Sequence, residues 1–379
     1  MIYADNAATT RLSDQAFERM LPFLREWYGN ASSLHSLGTK SRRAVEQARG
    51  EVARVIGAEV SEIVFTSGGS EANSWLLRSM AAAFRNEPMH IITTSIEHHS
   101  VLNACRACER DGAEVTYLPV DEAGRVLPKD VEAAIRPDTK LATIMLANNE
   151  IGTIQPVAEI GRLLRDRGIL FHTDAVQAAG RIPVDVRGLC VDFLTASAHK
   201  FNGAKGTGFL FKRSGLSLGL SPLIFGGKQE MGLRGGTENV AGIVAAGCAI
   251  TESAAILGET AERLGAMADA TIRGILTGVP GTRALGDIGN RLPGLVNLVF
   301  KGVSGESLMH LLDIKGICVS TSSACASGEV SHVLLALGLT EDEAKSSIRI
   351  SYGRYNSMED ADTVVSAVCD ACKKIRGSR

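Results

Sequence analysis

The chain has 379 residues, of which 45% are hydrophobic and 22% charged, as in a globular protein with about two or three domains. Its formal net charge of −2 argues against nucleic acid as the main partner, because binding phosphates requires a basic surface. A chain of this length does not need its eight cysteines for disulfides. No signal peptide is apparent, and the longest nearly apolar run, at 240–250, is too short to span a bilayer. We therefore expect a cytoplasmic protein that does not associate with membranes.

Two helices are predicted at the start of the chain. Ser13 is suited to cap the first helix, and Pro22 should kink or split it before it ends near Gly29. Apolar residues recur at helical spacing in this segment, which predicts an inward face of Phe17, Met20, Leu21 and Leu24. The second helix is predicted to end at Gly57.

Short apolar runs, separated by helical stretches, follow these helices. Because they lack polar alternation, they are typical of strands buried on both faces of a mostly parallel sheet, and they lie at 62–66, 90–95, 141–147, 168–173, 191–197 and 208–212. From about residue 256 a second α/β unit begins, which includes a strand-like run at 347–351. We predict an α/β protein with a large domain at 14–255 and a smaller C-terminal domain at 256–379, joined by an N-terminal segment at 1–13.

Polar residues follow five of the predicted strands, where ligands bind in open α/β sheets. They are Ser67-Gly68-Gly69-Ser70-Glu71, Glu97-His98-His99, Asn148-Asn149-Glu150, Asp174 with Gln177, and His199-Lys200. The glycines before a helix could expose backbone N–H groups to a phosphate, or could simply form a tight turn. A single one of these residues could be an ordinary polar residue on the surface. The whole set indicates a common site, because five strand ends carry Ser, His, Asn, Asp and Lys.

Pyridoxal 5′-phosphate (PLP) chemistry requires this set of residue types. PLP needs a lysine for a Schiff base and a carboxylate that keeps its pyridine nitrogen protonated, for which Lys200 and Asp174 are the candidates. Burial and a nearby positive charge, either the cation His199 or charges on the cofactor, are expected to lower the pKa of Lys200. Three alternatives stay open: Lys200 as a solvated loop residue, Lys205 as the reactive lysine, and Asp174 as a helix cap.

With these residues in view, the chain resembles the cysteine desulfurase family (NifS/IscS-like), class-V enzymes of fold type I that depend on PLP. The resemblance covers nearly the whole length. It rests on the segments Tyr3-Ala4-Asp5-Asn6-Ala7-Ala8-Thr9-Thr10, Gly29-Asn30-Ala31-Ser32-Ser33-Leu34-His35, Thr66-Ser67-Gly68-Gly69-Ser70-Glu71, Glu97-His98-His99, Asn148-Asn149-Glu150-Ile151-Gly152, His172-Thr173-Asp174-Ala175-Val176-Gln177, Ser197-Ala198-His199-Lys200, Arg234-Gly235-Gly236-Thr237-Glu238-Asn239, Ser323-Ala324-Cys325 and Ser347-Ile348-Arg349. It implies a seven-stranded, mostly parallel sheet in the large domain.

The resemblance also implies roles for individual residues. Those that would hold the cofactor are Gly69, Ser70, His98, Asn149, Asp174, Gln177, Ser197, His199 and Lys200, with Thr237 reaching in from the second subunit of a homodimer. Asn30, Asn149 and Arg349 would contact the substrate, L-cysteine. A planar arginine fork suits the substrate carboxylate. The catalytic residues would be Lys200, His98 and Cys325.

Cys325 lies in a run of small polar residues without apolar periodicity, which is typical of a loop. We predict that its thiolate attacks the sulfur of L-cysteine, leaving alanine and a persulfide, with His98 as the assisting base. The resemblance implies transfer of this sulfur to an acceptor protein, an iron–sulfur scaffold or a tRNA-thiolation enzyme. No metal site is expected, apart from transient ligation of an iron–sulfur cluster by Cys325 in a partner complex.

Other activities on the same scaffold remain as alternatives. They are selenocysteine lyase, cysteine sulfinate desulfinase and class-V aminotransferase, of which the last needs no thiol at position 325. A catalytically silent assembly scaffold is a further alternative, which the presence of Lys200, Asp174, His98 and Cys325 disfavours.

The sequence departs from the family's usual pattern in two places. The stretch after Cys325 is about two residues short, which bears on the choice of acceptor. Phe225, Lys228 and Met231 stand where His, Gly and a basic residue are usual.

Two Cys-x-x-Cys pairs, at Cys105/Cys108 and Cys369/Cys372, could bind zinc, but their helical spacing favours small hydrophobic thiols.

Overall fold

The computed structural model describes residues 1–321 and 330–377. The strands in this part of the chain are β1 (Ile2–Tyr3), β2 (Ile63–Thr66), β3 (His90–Thr94), β4 (Glu114–Leu118), β5 (Thr139–Thr143), β6 (Leu170–Asp174), β7 (Phe193–Ser197), β8 (Gly208–Lys212), β9 (Thr282–Leu285), β10 (Leu295–Phe300), β11 (Ile317–Cys318), β12 (Ser320–Thr321) and β13 (Ser347–Ser351). The α-helices are α1 (Asp14–Arg25), α2 (Ser36–Ile56), α3 (Gly69–Ala83), α4 (His99–Arg110), α5 (Pro128–Ala133), α6 (Val157–Asp166), α7 (Val240–Ala255), α8 (Leu257–Gly278), α9 (Gly305–Ile314), α10 (His332–Ala336), α11 (Glu341–Lys345) and α12 (Met358–Gly377).

A seven-stranded sheet forms the centre of the larger unit, in the order β2-β8-β7-β6-β5-β3-β4. Only β8 runs antiparallel to its neighbours, so the predicted mostly parallel α/β sheet is confirmed. Each of the six predicted runs overlaps with one of its strands. The seventh strand, β4, is at an edge, and most of its residues are only partly buried, so it lacks the continuous apolar run by which the others were predicted.

The second unit is built on an antiparallel sheet in the order β12-β13-β10-β9. Its hydrophobic core joins this sheet to α8, α9 and α12. The N-terminal segment belongs here as well, because β1 pairs with β11 and Ala4 is in the same core. The domain boundary proposed at residue 256 coincides with a bend of 72° between α7 and α8.

No single helix among the described residues is long and apolar enough to cross a membrane, although the bent pair α7 and α8 would meet that test jointly.

Helix α1 corrects two predictions. Of the kink or split expected at Pro22, the split is wrong, because the helix continues through Pro22 to Arg25. Its N-cap is Ser13, as predicted, whose hydroxyl accepts a hydrogen bond from the Ala16 N–H. The apolar face, however, is mostly uncovered: Phe17 is 49% exposed, Leu21 40% and Leu24 56%. Of the four residues predicted to face inward, only Met20 packs against the core, and it is partly buried. The spacing of apolar residues identifies this face of α1 but does not show which element covers it. In the single chain most of the face is exposed.

Both Cys-x-x-Cys pairs lie on helices, as their spacing indicated. Cys105, Cys108 and Cys372 are buried. Burial raises the pKa of Cys108 to about 11 and that of Cys372 to about 12, so these thiols stay protonated at neutral pH. They act as small apolar side chains in the core.

A buried ion pair connects α2 to the segment that departs from the family pattern. Arg49 Nη1 and Nη2 donate to the two carboxylate oxygens of Glu230 at 2.7 and 2.8 Å, and Glu230 also accepts the Phe65 N–H at 2.7 Å. Glu230 adopts a left-handed backbone conformation with φ 47°, which is unfavourable for a residue with a side chain. The ion pair therefore holds a strained segment against β2.

We expect Arg49→Met to lower the free energy of unfolding by about 3–5 kcal/mol, because it leaves the Glu230 carboxylate buried without its cation. The matched control is Arg78→Met, which removes an exposed pair with Asp111 and should cost about 0–1 kcal/mol. Urea unfolding at one fixed protein concentration measures both values. Equal effects of the two substitutions would contradict this account of Arg49.

Candidate active site

A cavity of about 390 Å³ lies at the carboxyl ends of the central strands. Most of the residues predicted for the site line it together: Gly69, Ser70, His98, Asn149, Asp174, Gln177, Ser197, His199, Lys200 and Arg349. The reason is topological, because parallel strands end at the same edge of a sheet. Arg349 comes from β13 of the second unit, so the cavity is bounded by both units.

Three predicted site residues are not placed in this cavity. Asn30 is exposed in the connection between α1 and α2, where its side-chain oxygen accepts the Ser32 N–H. Thr237 is exposed and lines a different cavity of about 210 Å³. Cys325 lies outside the described residues.

Lys200 ends a short 3₁₀ turn that follows β7. Its ammonium nitrogen donates to the carbonyl oxygens of Ala7 at 2.5 Å and Ala8 at 2.8 Å. Burial, followed by the positive charges of Arg349 and Arg181, lowers its pKa to about 7. A large fraction of the Lys200 side chains therefore carries a neutral, nucleophilic amine at neutral pH.

The prediction that His199 supplies the cation beside Lys200 is wrong. Burial, followed by the charges of Lys200 and Lys205, lowers the pKa of His199 to about 4, so its ring is neutral at pH 7. Its Nδ1 lies 3.1 Å from the Thr9 hydroxyl. The cations that lower the pKa of Lys200 are Arg349 and Arg181. Both are distant from Lys200 in the sequence or on other elements, so the sequence alone does not show that they lie near it.

Asp174 is held at the end of β6 by two hydrogen bonds. Its Oδ2 accepts from the Asn73 side-chain amide at 2.7 Å, and its Oδ1 accepts the Val176 N–H at 2.9 Å. These bonds fix the carboxylate in the cavity wall. The alternative of Asp174 as a helix cap is wrong, because a turn and not a helix follows β6, and the bond to the Val176 N–H belongs to this turn. Asn73 was missed from the sequence, although it lies four residues after Gly69 on α3 and so shares its helix face.

His98 caps the N-terminus of α4. Its Nδ1 lies 3.1 Å from the Ser100 backbone nitrogen and 2.8 Å from the Ser100 hydroxyl oxygen. Burial lowers the pKa of His98, and the charge of Lys200 lowers it further, against the opposing effect of Asp174. The lowered pKa favours a neutral imidazole, which Ser100 holds in the cavity wall.

The first turn of α3 forms another wall. Its N-cap is Gly68, which has no side chain to occupy the terminal N–H groups. A Cβ atom on Gly69 would lie 2.7 Å from a methyl carbon of Val176, so glycine permits the close approach of α3 to the end of β6. The helix terminus, with Ser70, Ser197 and His199 nearby, can bind a phosphate.

Arg349 is buried at the border of the cavity. Its Nη1 donates to the Asn149 carbonyl at 3.0 Å and its Nη2 to the Asp5 carboxylate at 2.9 Å, while Nε has no partner among the residues described. Asp5 is a second residue that sequence reasoning missed. Its contact with Arg349 could not be predicted from sequence spacing, because 344 residues separate the two positions.

The residues present fit PLP. Besides the phosphate-binding terminus, the neutral lysine and the fixed carboxylate, the side-chain oxygen of Gln177 is buried without a partner in the described part of the chain. An unpaired buried oxygen next to a polar cavity is suited to a ligand's hydroxyl group.

Comparison with known proteins identifies the family. The model of the class-V aminotransferases matches residues 2–364. A protein of Methanosarcina thermophila named cysteine desulfurase IscS is 46% identical over 377 residues, which cover 99% of this chain and 93% of the relative. Two solved structures are similar. A NifS-like protein has a TM-score of 0.93 and 38% identity, and the match covers 98% of this chain and 99% of that protein. SspA in complex with cysteine has a TM-score of 0.84 and 36% identity, and the match covers 94% of this chain and 100% of SspA. The predicted resemblance is confirmed, and the chain belongs to the class-V aminotransferase family, among relatives named cysteine desulfurase.

Proposed function

We propose that this protein is a PLP-dependent cysteine desulfurase, which converts L-cysteine to L-alanine and stores the sulfur as a persulfide on Cys325. One observation carries the proposal: the neutral amine of Lys200 shares a cavity with the fixed carboxylate of Asp174, in a chain of this family. A lysine with a pKa of about 7 and a buried acid at neighbouring strand ends are the two groups that PLP requires.

Each wall of the cavity has a part in holding the cofactor. The α3 terminus with Gly69 and Ser70, together with Ser197 and His199, would hold the phosphate. Asp174 would pair with the pyridine nitrogen, Gln177 with the phenolic oxygen, and His98 would stack on the ring, beside Asn149. When bound, PLP supplies an electron sink for the substrate's Cα.

The protein's own groups move the protons. Lys200, which has a nucleophilic nitrogen near neutral pH, is suited to accept the Cα proton of the substrate. Nε2 of His98 can take the proton of the Cys325 thiol before the thiolate attacks, while Nδ1 keeps its own proton and donates it to the Ser100 hydroxyl. The proton taken from the thiol can then pass from Nε2 to the leaving fragment. Arg349 and Asn149, with Asn30, would bind the substrate carboxylate, for which Arg349 would exchange its bond to Asp5.

Sulfur transfer needs no external oxidant, because the substrate and one thiol account for all the atoms and electrons exchanged. Cys325 as thiolate attacks the substrate sulfur, so an S–S bond forms while the Cβ–S bond of the substrate breaks. The electron pair of the broken bond takes up a proton at Cβ, and the products are alanine and a Cys325 persulfide. We propose that the persulfide passes in the cytoplasm to an acceptor protein, an iron–sulfur scaffold or a tRNA-thiolation enzyme.

We further propose that the functional unit is a homodimer. In one chain, Thr237 and Asn30 are outside the cavity, although the resemblance assigns them to it. The side chains of Phe17 and Leu24 on α1 are exposed, and Phe225 is 83% exposed. Exposed apolar surfaces of this kind are suited to an interface between subunits.

The test is to supply the purified protein with PLP, L-cysteine and a thiol reductant. We expect alanine and sulfide in equal amounts. Alanine without sulfide from L-cysteine sulfinate, with no turnover of L-cysteine, would instead indicate a desulfinase. Transfer of the amino group to an oxo acid would indicate an aminotransferase, and failure to bind PLP a silent scaffold.

A further inference from the structure

A second cavity, of about 30 Å³, lies where the two units of the chain meet. Lys200 lines both this cavity and the one described above. Arg181 and Arg354 also line this second cavity. It therefore borders the reactive lysine without belonging to the proposed cofactor site.

Two guanidinium groups that line this cavity lack full pairing. Nη1 of Arg181 and Nη1 of Arg354 are buried, and neither has a hydrogen-bond partner within residues 1–321 and 330–377. The hydrogen bond from Arg181 Nη2 to the Tyr352 carbonyl is long, at 3.4 Å. Buried donors without acceptors are rare in proteins, and each calls for an occupant of the adjacent space.

The cavity also has an excess of positive charge. No described carboxylate forms an ion pair with Arg181, and the contact of Arg354 with Glu252 is 3.4 Å. The other oxygen of Glu252 accepts the hydroxyl of Ser13. Burial, followed by the charge of Arg349, lowers the pKa of Arg181 to about 10, as expected for a cation without a counter-charge.

We propose that this cavity binds a monatomic anion of the size of chloride, held by Arg181 and Arg354. The volume admits about one or two water-sized groups, so a tetrahedral oxyanion does not fit. Water could satisfy the two N–H groups but not their charge. An anion does both, and its charge also favours the protonated form of Lys200 in the same cavity wall.

This inference does not rest on desulfurase activity, and it can be tested without substrate. Crystals of the full chain in bromide should show an anomalous peak between Arg181 and Arg354. In solution, the melting temperature should rise with the logarithm of the chloride concentration, relative to gluconate at equal ionic strength. Arg181→Gln should lose this chloride dependence.

The matched control is Arg291→Gln. Arg291 is also largely buried, with 8% of its side chain exposed, but it is paired with Asp269 and lies outside this cavity. This variant should retain the chloride dependence of the wild type. If Arg181→Gln does not fold, the bromide peak in the wild-type crystal decides alone. A cavity with water only, or an equal chloride dependence in the two variants, overturns the proposal.

Discussion

Replacing Lys200 with alanine is expected to abolish both the yellow absorbance of the PLP-loaded protein and the release of alanine from L-cysteine. The substitution removes the amine that tethers the cofactor and accepts the Cα proton. Loss of the base alone lowers the rate by about 10²–10⁴-fold. Absorbance spectra and alanine assays on the purified variant measure the two effects.

Lys205 provides the control, because it is the other lysine considered for the tether. It is exposed, five residues beyond Lys200, and does not line the cavity. Lys205→Ala should keep both the absorbance and most of the activity. If this variant instead lost the yellow colour while Lys200→Ala kept it, the tether would have to be reassigned.

The lowered pKa of Lys200 gives this prediction a pH dependence. Below pH 7 the amine is protonated and has no lone pair for the cofactor's aldehyde; above it, the neutral form dominates. The rate at which the apoprotein becomes yellow on addition of PLP should therefore rise with pH and level off above about 7. A lysine in solvent would show a rise that continues toward its ordinary pKa of 10.5.

Replacing Cys325 with alanine is expected to separate the two effects: the yellow absorbance stays, and desulfuration falls by several orders of magnitude. The cofactor site is complete without this thiol, but the substrate sulfur then has no nucleophile to receive it. After L-cysteine is added, the wild-type peptide that contains Cys325 should gain the mass of one sulfur atom, and the variant should not.

Cys190→Ala is the matched control for Cys325. Cys190 is a partly exposed thiol, whose sulfur contacts only the Arg187 carbonyl among the contacts described. Its replacement should leave sulfide release unchanged. Normal desulfuration by the Cys325 variant would show that the persulfide forms on another residue or that sulfide leaves directly.

The sequence predicted those parts of the site that depend on local order along the chain. Asp174, Lys200 and His98 each follow a buried strand or begin a helix, and a parallel sheet brings such positions together whatever the details of packing. Hydrogen-bond partners that are distant in the sequence could not be predicted from local order along the chain. Asp5 beside Arg349 and Asn73 beside Asp174 depend on how separate elements pack.

The same limit explains the errors in the fold. Helical spacing located the apolar face of α1 correctly, but which face of a helix is covered depends on neighbours that the sequence does not reveal. β4 was missed because an edge strand, exposed on one side, does not need the continuous apolar run of a central strand. The charge state of His199 depended on burial, which spacing does not show.

Reduction of the PLP-loaded wild-type protein with borohydride, followed by digestion and mass spectrometry, tests the central claim most directly. We expect the reduced cofactor on one peptide, attached to Lys200. Attachment to any other lysine, or no covalent attachment at all, would contradict the assignment of this cavity as the catalytic site.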